Sequence, residues 1–192
     1  MVKKAVILHG TDGHPSEHWL PWLKKLLESS GYQVFAPELP GNHTPNKEVY
    51  EEFLRESGWD FTDNVVIGHS SGATTVLNLL STKWFPDVSA VVLVAAFLNE
   101  NLLKHIDRFE PGQFDGLQLG SFDTKLVKSK ADKFYFFHGS NDPYCDIKDA
   151  QKLCDQLGGK FTIIQNGHHL GVASGFTQIP QLEEVLRQDH IL

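Results

Sequence analysis

Cysteine, basic charge and long apolar runs are all scarce in this chain of 192 residues. The only two cysteines, Cys145 and Cys154, do not form a Cys-x-x-Cys pair, so we expect reduced packing residues rather than a disulfide framework or a redox site. Basic residues number 17 against 24 acidic ones, which gives a formal net charge of −7. Nucleic acid and anionic membrane surfaces both require a basic face, so neither is an expected partner.

Extended hydrophobic segments are also missing. The apolar run nearest the N-terminus covers residues 5–8, which is too short for the core of a secretory signal or for a membrane span. We therefore expect no membrane association and a cytoplasmic protein. No internal repeat, low-complexity tract or linker interrupts the chain, and its length suits one domain covering residues 1–192.

What the chain does contain is an alternation of short apolar runs with stretches of helical periodicity. Continuous apolar runs of this kind are typical of parallel strands covered on both faces. The alternation predicts an α/β fold: a three-layer α/β/α sandwich around a mainly parallel sheet of about six strands. The predicted strands are residues 3–10, 33–36, 64–67, 90–96, 134–139 and 161–165, and the clearest predicted helices are residues 20–27, 46–56, 73–80, 146–157 and 181–187.

One Gly-x-Ser-x-Gly motif lies between a predicted strand and a predicted helix. Gly68 and Gly72 flank Ser70, an arrangement typical of a nucleophile elbow, in which glycines allow the close strand–helix packing that holds a strained serine. Such a turn exposes the serine hydroxyl above the sheet. It also directs the backbone N–H of the next residue, Ser71, toward the position of a developing oxyanion.

A serine nucleophile needs an imidazole base and a carboxylate that orients it. Asp142 follows the fifth predicted strand, and His168 and His169 follow the sixth, so all lie at the sheet edge where ligands bind in α/β folds. The order Ser70, Asp142, His168 is that of α/β-hydrolases. We take His168 as the base, with His169 as the alternative, and Asp142 as the acid, with Glu100 as the alternative.

The loop after the first strand is the expected source of a second oxyanion donor, at Gly10 or Thr11. His9, His14 and His18 lie nearby, but no carboxylate or thiolate completes a recognisable metal set, so we expect no metal. The run from Gly10 to Gly13 matches neither nucleotide-binding glycine motif, so we expect no cofactor.

Together these motifs resemble a known family. Leu8-His9-Gly10, His18-Trp19 with Trp22, Gly68-His69-Ser70-Ser71-Gly72, Ser140-Asn141-Asp142-Pro143-Tyr144 and Gly167-His168 are similar to the landmarks of the small α/β-hydrolases related to retinoblastoma-binding protein 9 and the bacterial YdeN-type proteins. The resemblance covers nearly the whole chain and implies a minimal lid and a serine hydrolase with Ser70, Asp142 and His168 as its triad. This sequence departs from the family pattern at His169, where phenylalanine is expected.

These patterns predict a carboxylesterase-like enzyme acting on a small acyl substrate, an ester first and a thioester or amide second. We also expect His9, Trp19, His69 and Tyr144 to contact the substrate. Residues 97–132 must supply a crossover between two parallel strands, which leaves little chain for a lid beyond a short flap carrying Phe109, Phe114 and Phe122. The alternative is a catalytically idle protein-binding module, although no motif for a protein partner is present.

Overall fold

The computed structural model describes residues 2–120 and 122–192, with only the backbone of His105 and Val172 described. Its centre is a six-stranded sheet in the order β2-β1-β3-β4-β5-β6, and every neighbouring pair is parallel. The strands are β1 (Lys3–Leu8), β2 (Tyr32–Phe35), β3 (Val65–His69), β4 (Ala90–Val94), β5 (Phe134–Gly139) and β6 (Lys160–Ile164).

Helices cover both faces of the sheet, which confirms the predicted α/β/α fold class. The helices are α1 (Leu20–Ser29), α2 (Lys47–Glu56), α3 (Ser71–Leu80), α4 (Thr124–Ser129), α5 (Ile147–Leu157) and α6 (Pro180–Gln188). One hydrophobic cluster joins α1 and α6 to one face, and a larger one joins α2, α3, α4 and α5 to the other. No described helix combines the length and apolarity needed to cross a bilayer.

The continuous apolar strands are buried as their composition predicts. All residues of β3, β4 and β5 are buried, whereas the edge strands β2 and β6 are partly exposed. The predicted fourth strand extends two residues too far, because the backbone turns at Ala95, where φ is 48°. This turn lies at the carboxyl edge of the sheet, where the residues predicted to be catalytic also lie.

The topology explains why the candidates gather there. The chain first moves outward from β1 to β2 and then resumes on the other side of β1 with β3, so the loops after β1 and β3 diverge. Such a switch point leaves a crevice at the carboxyl ends of the strands, where open α/β folds bind ligands. Gly10 lies two residues after the end of β1, and Ser70 directly follows β3.

The segment between β4 and β5 forms a compact cover rather than a large domain. It contains two short 3₁₀ turns, Leu103–His105 and Asp115–Leu117, followed by α4; Ser121 lies outside the described residues. A third hydrophobic cluster, which we call the cover cluster, forms here from Phe97, Leu103, Phe114, Leu117 and Cys145, with Ile106, Phe109, Leu119 and Tyr144 packed against it. Phe122 instead packs against the main core.

Candidate active site

Ser70 occupies a strained turn between β3 and α3, as the Gly-x-Ser-x-Gly motif predicts. Its φ of 56° and ψ of −123° lie in a region that residues with a side chain rarely adopt. The Ser70 N–H donates to the Val94 carbonyl at 2.9 Å, which ties the turn to the end of β4. The hydroxyl is partly exposed and lines a cleft at the carboxyl edge of the sheet.

A continuous chain of hydrogen bonds connects Ser70, His169 and Asp142. His169 Nε2 lies 2.9 Å from Ser70 Oγ, and His169 Nδ1 lies 2.9 Å and 3.1 Å from the two carboxylate oxygens of Asp142. An ionised carboxylate only accepts hydrogen bonds, so Nδ1 carries the proton and Nε2 is the nitrogen that can accept the serine proton. The arrangement has the geometry of a nucleophile, a base and an orienting acid.

The expectation that His168 would contact Ser70 is wrong, since its neighbour holds that position. A tight turn over residues 167–170, closed by the Leu170 N–H and the Gly167 carbonyl at 3.0 Å, leaves the His168 side chain exposed. The His168 backbone has φ of 47°, and its N–H donates to Asn141 Oδ1 at 2.9 Å. Gly139 permits this packing, because a Cβ there would overlap the backbone of residues 167 and 168.

Asp142, rather than the alternative Glu100, is the carboxylate beside the imidazole. Its side chain is 1% exposed, and Oδ1 also accepts the backbone N–H groups of Tyr144 at 2.9 Å and Cys145 at 3.1 Å. These bonds compensate for burial of the charge and fix the direction of the carboxylate. Glu100 lines a separate groove on the outside of the cover cluster.

The loop after β1 approaches Ser70 closely, as predicted for Gly10 and Thr11. A Cβ on Gly10 would lie 2.9 Å from Ser70 Cβ and 3.5 Å from Oγ, so a larger residue would crowd the nucleophile. Thr11 lines the cleft, and its hydroxyl donates to Ser71 Oγ at 2.8 Å. Ser71 begins α3, and the first amides of a helix have no partner within it.

His9 does not reach the cleft, contrary to the expectation that it contacts substrate. It is 1% exposed, and its Nε2 accepts the Leu39 N–H at 2.8 Å, which leaves the proton on Nδ1. Nδ1 therefore donates to the Gly10 carbonyl at 2.8 Å. Because the peptide unit is planar and trans, fixing this carbonyl also fixes the direction of the Thr11 N–H. Burial lowers the pKa of His9, so the neutral tautomer persists.

Trp19 and His69 also lie beneath the site rather than in the cleft, against expectation. The Trp19 indole N–H donates to the Leu170 carbonyl at 2.9 Å, and His69 Nε2 bonds the His169 carbonyl at 2.9 Å. Both side chains are buried, at 0% and 3% exposed. They hold two consecutive carbonyls of the turn that carries the imidazole. Burial keeps the pKa of His69 well below its usual value, so its Nε2–H remains a neutral donor.

The cleft in front of Ser70 is small, and both polar and apolar side chains line it. Its volume is about 60 Å³, enough for a few water molecules, since one needs about 10–15 Å³ by the same measure. The lining residues are Thr11, Ser70, Phe97, Leu103, Arg108, Phe109, Phe114, Tyr144 and His169. Tyr144 lies where expected and packs edge-on against His169, with ring centroids 4.9 Å apart. Of the three aromatic residues in the predicted flap, Phe109 and Phe114 line the cleft and Phe122 does not.

Sequence reasoning missed Phe97, Leu103 and Arg108. The position of Phe97 just past β4 was a usable signal, because the carboxyl ends of parallel strands share one edge. Nothing in the sequence distinguishes Leu103 or Arg108 from other residues of the same segment, because their placement depends on the fold of the two 3₁₀ turns.

Cys145 lies close to the His169 imidazole, with Sγ 3.9 Å from Nδ1, so a metal site at this position must be considered. The ligand atoms of Asp142, Cys145 and His169 all lie within 4.8 Å of one another. However, the Cys145 thiol donates to the Ala95 carbonyl at 3.2 Å, and burial raises its pKa well above the usual range. A metal would require loss of both the thiol proton and the His169 Nδ1 proton. The donor set therefore fits a hydrogen-bonded triad better than a metal site.

His138 is a further buried imidazole at this edge. Its Nε2 accepts the Ala96 N–H at 3.0 Å, and its ring stacks on Phe161. The proton is thus on Nδ1, an atom without a hydrogen-bond partner among the described residues. Burial lowers the pKa of His138 to about 4, so the ring is neutral at physiological pH.

A parallel sheet with a serine on the turn after β3, an aspartate after β5 and a histidine after β6 has the architecture of an α/β-hydrolase. The model of the serine hydrolase family matches residues 5–188, and the chain belongs to this family. It is similar to the putative hydrolase YdeN of Bacillus subtilis, at 26% identity over 97% of this chain and 95% of that protein. The serine hydrolase RBBP9 of Rattus norvegicus is 26% identical, with 86% of each chain covered.

Solved structures support the same fold. The crystal structure of the B. subtilis ydeN gene product superposes with a TM-score of 0.84 at 23% identity, covering 97% of both chains. Est1E of Butyrivibrio proteoclasticus, solved with bound ferulic acid, has a TM-score of 0.64 at 16% identity, covering 95% of this chain and 89% of that one.

Replacing Trp19 with phenylalanine tests whether the buried side chains position His169. The loss of one buried hydrogen bond from the His169 turn should lower the kcat of the hydrolase about tenfold, because small displacements of a reacting group are costly. KM should change by less than about twofold if the cleft itself is untouched. Trp22→Phe is the matched control, because Trp22 packs against the same hydrophobic cluster. Full kcat in a folded Trp19→Phe protein would contradict the positioning role.

His138→Gln tests the buried neutral imidazole through the pH dependence of stability. In the unfolded state His138 takes up a proton near pH 6.5, whereas in the folded state it does so only near pH 4. Its neutral ring therefore costs no stability above pH 6.5, and the free energy of unfolding decreases as the pH drops from 6.5 toward 4. The full effect is on the order of 3 kcal/mol. Glutamine can accept the Ala96 N–H without titrating. Urea unfolding at pH 7, 5.5 and 4 should show a smaller loss for the variant, and parallel losses would refute the assignment.

Proposed function

We propose that this member of the serine hydrolase family cleaves small carboxylic esters through a covalent acyl-enzyme, with Ser70 as nucleophile, His169 as base and Asp142 as acid. The observation that carries the proposal is the unbroken hydrogen-bond chain from Ser70 Oγ through His169 to the buried Asp142 carboxylate. An ester as the substrate class also draws on fold neighbours described as carboxylesterases and as lipolytic enzymes.

In the acylation step, His169 Nε2 takes the proton of Ser70 as Oγ attacks the carbonyl carbon of the ester. Asp142 holds the Nδ1 proton in place and stabilises the imidazolium that forms. The tetrahedral intermediate then collapses. The bond from carbon to the leaving oxygen breaks, His169 returns its proton to that oxygen, and an alcohol leaves.

Deacylation repeats the same steps with water. His169 removes a proton from water, the hydroxyl oxygen attacks the acyl carbon, and the bond to Ser70 Oγ breaks as Oγ recovers its proton. The products are a carboxylic acid and the free enzyme. Neither step requires a cofactor or a metal.

The oxyanion of each intermediate is held by backbone N–H groups. Ser71 supplies the first, since its amide begins α3 and lies next to the nucleophile. The loop at Gly10 and Thr11 supplies the second, because it passes within contact distance of the Ser70 side chain. His9 supports this arrangement from below by holding the Gly10 carbonyl.

Substituting each proposed triad residue, with a nearby residue substituted as a control, tests the assignment of nucleophile, base and acid. Purified protein should react with a fluorophosphonate probe, and Ser70→Ala should abolish labelling, because the probe detects an activated hydroxyl. His169→Ala should lower kcat by about 10⁴ or more, since triad members act as a unit. His168→Ala should have little effect, because that ring is exposed and lies beside Asn141, while His169 holds the hydrogen bond to Ser70.

Asp142→Asn should also be severe, with Glu100→Gln as its control. Folded wild-type protein that stays unlabelled would favour a binding protein with an idle site. If His168→Ala were crippling and His169→Ala mild, the base would be misassigned.

The volume and lining of the cleft predict a preference for short acyl chains. Each extra methylene adds about 0.8 kcal/mol only while apolar wall remains to cover it, and a cleft of about 60 Å³ offers little. We therefore expect p-nitrophenyl acetate and butyrate to have a higher kcat/KM than the palmitate ester. A kcat/KM that rose steadily up to the palmitate ester would show that the cover cluster opens to admit long chains.

A further inference from the structure

Arg108 is the one permanently charged side chain among the described residues that line the cleft. The guanidinium belongs to the segment between β4 and β5, and it lies beside Phe109, with Cζ 5.6 Å from the ring centroid. The rest of the wall is aromatic, aliphatic, or part of the triad and the oxyanion loop. A small acyl pocket for purely apolar groups has no need of this charge, so its position requires a reason.

The guanidinium is weakly partnered within the protein. Its ion pair is with Asp12, at 3.8 Å from nitrogen to oxygen, which is beyond hydrogen-bond range. Arginine carries five N–H donors in a fixed fork, and no hydrogen bond from Arg108 occurs among the described residues. The side chain is 58% exposed, so solvent and small ligands can reach it.

Asp12 has a stronger partner of its own. His43 Nδ1 lies 2.7 Å from Asp12 Oδ1, and this hydrogen bond raises the pKa of His43. Of the two contacts of the Asp12 carboxylate, the one with His43 is therefore the shorter and the one with Arg108 the weaker. The contact with Asp12 also places the guanidinium next to the Gly10–Thr11 loop, since Asp12 directly follows Thr11. Arg108 therefore lies on the oxyanion side of the cleft.

We infer that Arg108 recognises a carboxylate on the substrate, so that the preferred acyl groups are those of dicarboxylic half-esters. A planar guanidinium fork matches a carboxylate, and such contacts are among the strongest hydrogen bonds in proteins. The free carboxylate binds at the exposed rim while the ester carbonyl lies at Ser70. The carboxylate itself takes no part in bond breaking. This inference rests on the proposed function.

Because the protein has a net charge of −7, a substrate carboxylate can be attracted to Arg108 only at short range. A field of that sign repels anions at long range, so the charge of Arg108 must act at the cleft rather than by steering. Glu100, Asp107 and Glu110 line the neighbouring groove with Lys104, which leaves that groove net acidic. A carboxylate would therefore favour the side of the cover cluster where Arg108 lies.

A matched pair of esters tests the inference. 4-Nitrophenyl hydrogen glutarate and its methyl ester share the glutaryl chain, and the methyl ester replaces the negative charge with a methyl group. The uncatalysed rate is subtracted for each. We expect wild-type protein to show a higher kcat/KM for the acid. Arg108→Gln should lower the ratio of acid to methyl ester about 10- to 100-fold. Arg108→Lys should fall between, because lysine keeps the charge and loses the fork.

Lys104→Gln is the control, since it removes one positive charge from the same segment outside the cleft and should leave the ratio unchanged. If Arg108→Gln left the ratio of kcat/KM for the acid to that for the methyl ester unchanged, the inference would be overturned. Equal losses of kcat/KM for both esters would then assign Arg108 to oxyanion binding or to folding.

Binding to Ser70→Ala protein separates this inference from the proposed function. Monomethyl glutarate and dimethyl glutarate are not consumed without the nucleophile, so calorimetry measures recognition alone. Tighter binding of the acid, lost with Arg108→Gln, supports recognition even if wild-type protein proves not to hydrolyse esters. Equal binding of the two esters would refute it, while fluorophosphonate labelling of the wild type would still support the hydrolase.

Discussion

The backbone conformation of Ser70 is the constraint on which the site depends. A left-handed residue with a side chain costs roughly 1–3 kcal/mol and persists only where its surroundings enforce it. Here β3 and α3 are buried along their whole length, and the Ser70 N–H is bound to the end of β4. If Ser70 relaxed, Oγ would leave His169 Nε2, and the Asp142 turn and the Gly10 loop would enclose a site without a nucleophile.

The features that sequence predicts here are those with a local physical cause. Short continuous apolar runs predict the strands, and a glycine-flanked serine between strand and helix predicts the elbow. Asp142 was also predictable, because it follows a buried strand at the edge where parallel strands end together. The predicted β4 is too long because apolar residues continue past the backbone turn at Ala95. The predicted β1 is too long because it includes His9 and Gly10, which already belong to the loop after Leu8.

Choosing between His168 and His169 required the turn itself. Both rings follow Gly167, and which one faces Ser70 depends on a left-handed residue at each of positions 166, 168 and 170. Asn166-Gly167 marks a turn, but histidine and leucine do not favour positive φ, so the sequence does not indicate the left-handed backbone at His168 and Leu170. His9, Trp19 and His69 were misassigned for a related reason. Their proximity to motifs was real, but their side chains point below the site, where each binds a backbone carbonyl.

The site has two parts, and different sets of contacts hold each of them in place. Neutral donors in the core hold the His169 turn and the Gly10 carbonyl from beneath, so the geometry of both depends on the stability of the sheet. The opposite wall comes from residues of the 97–119 segment together with Tyr144, and these side chains belong to the cover cluster or line the cleft. The sheet requires only that this segment connect β4 to β5. Under the proposed function, exposed side chains of this segment such as Arg108 can therefore vary without disturbing the hydrogen bonds that join Ser70, His169 and Asp142, so specificity and catalysis have separate structural supports.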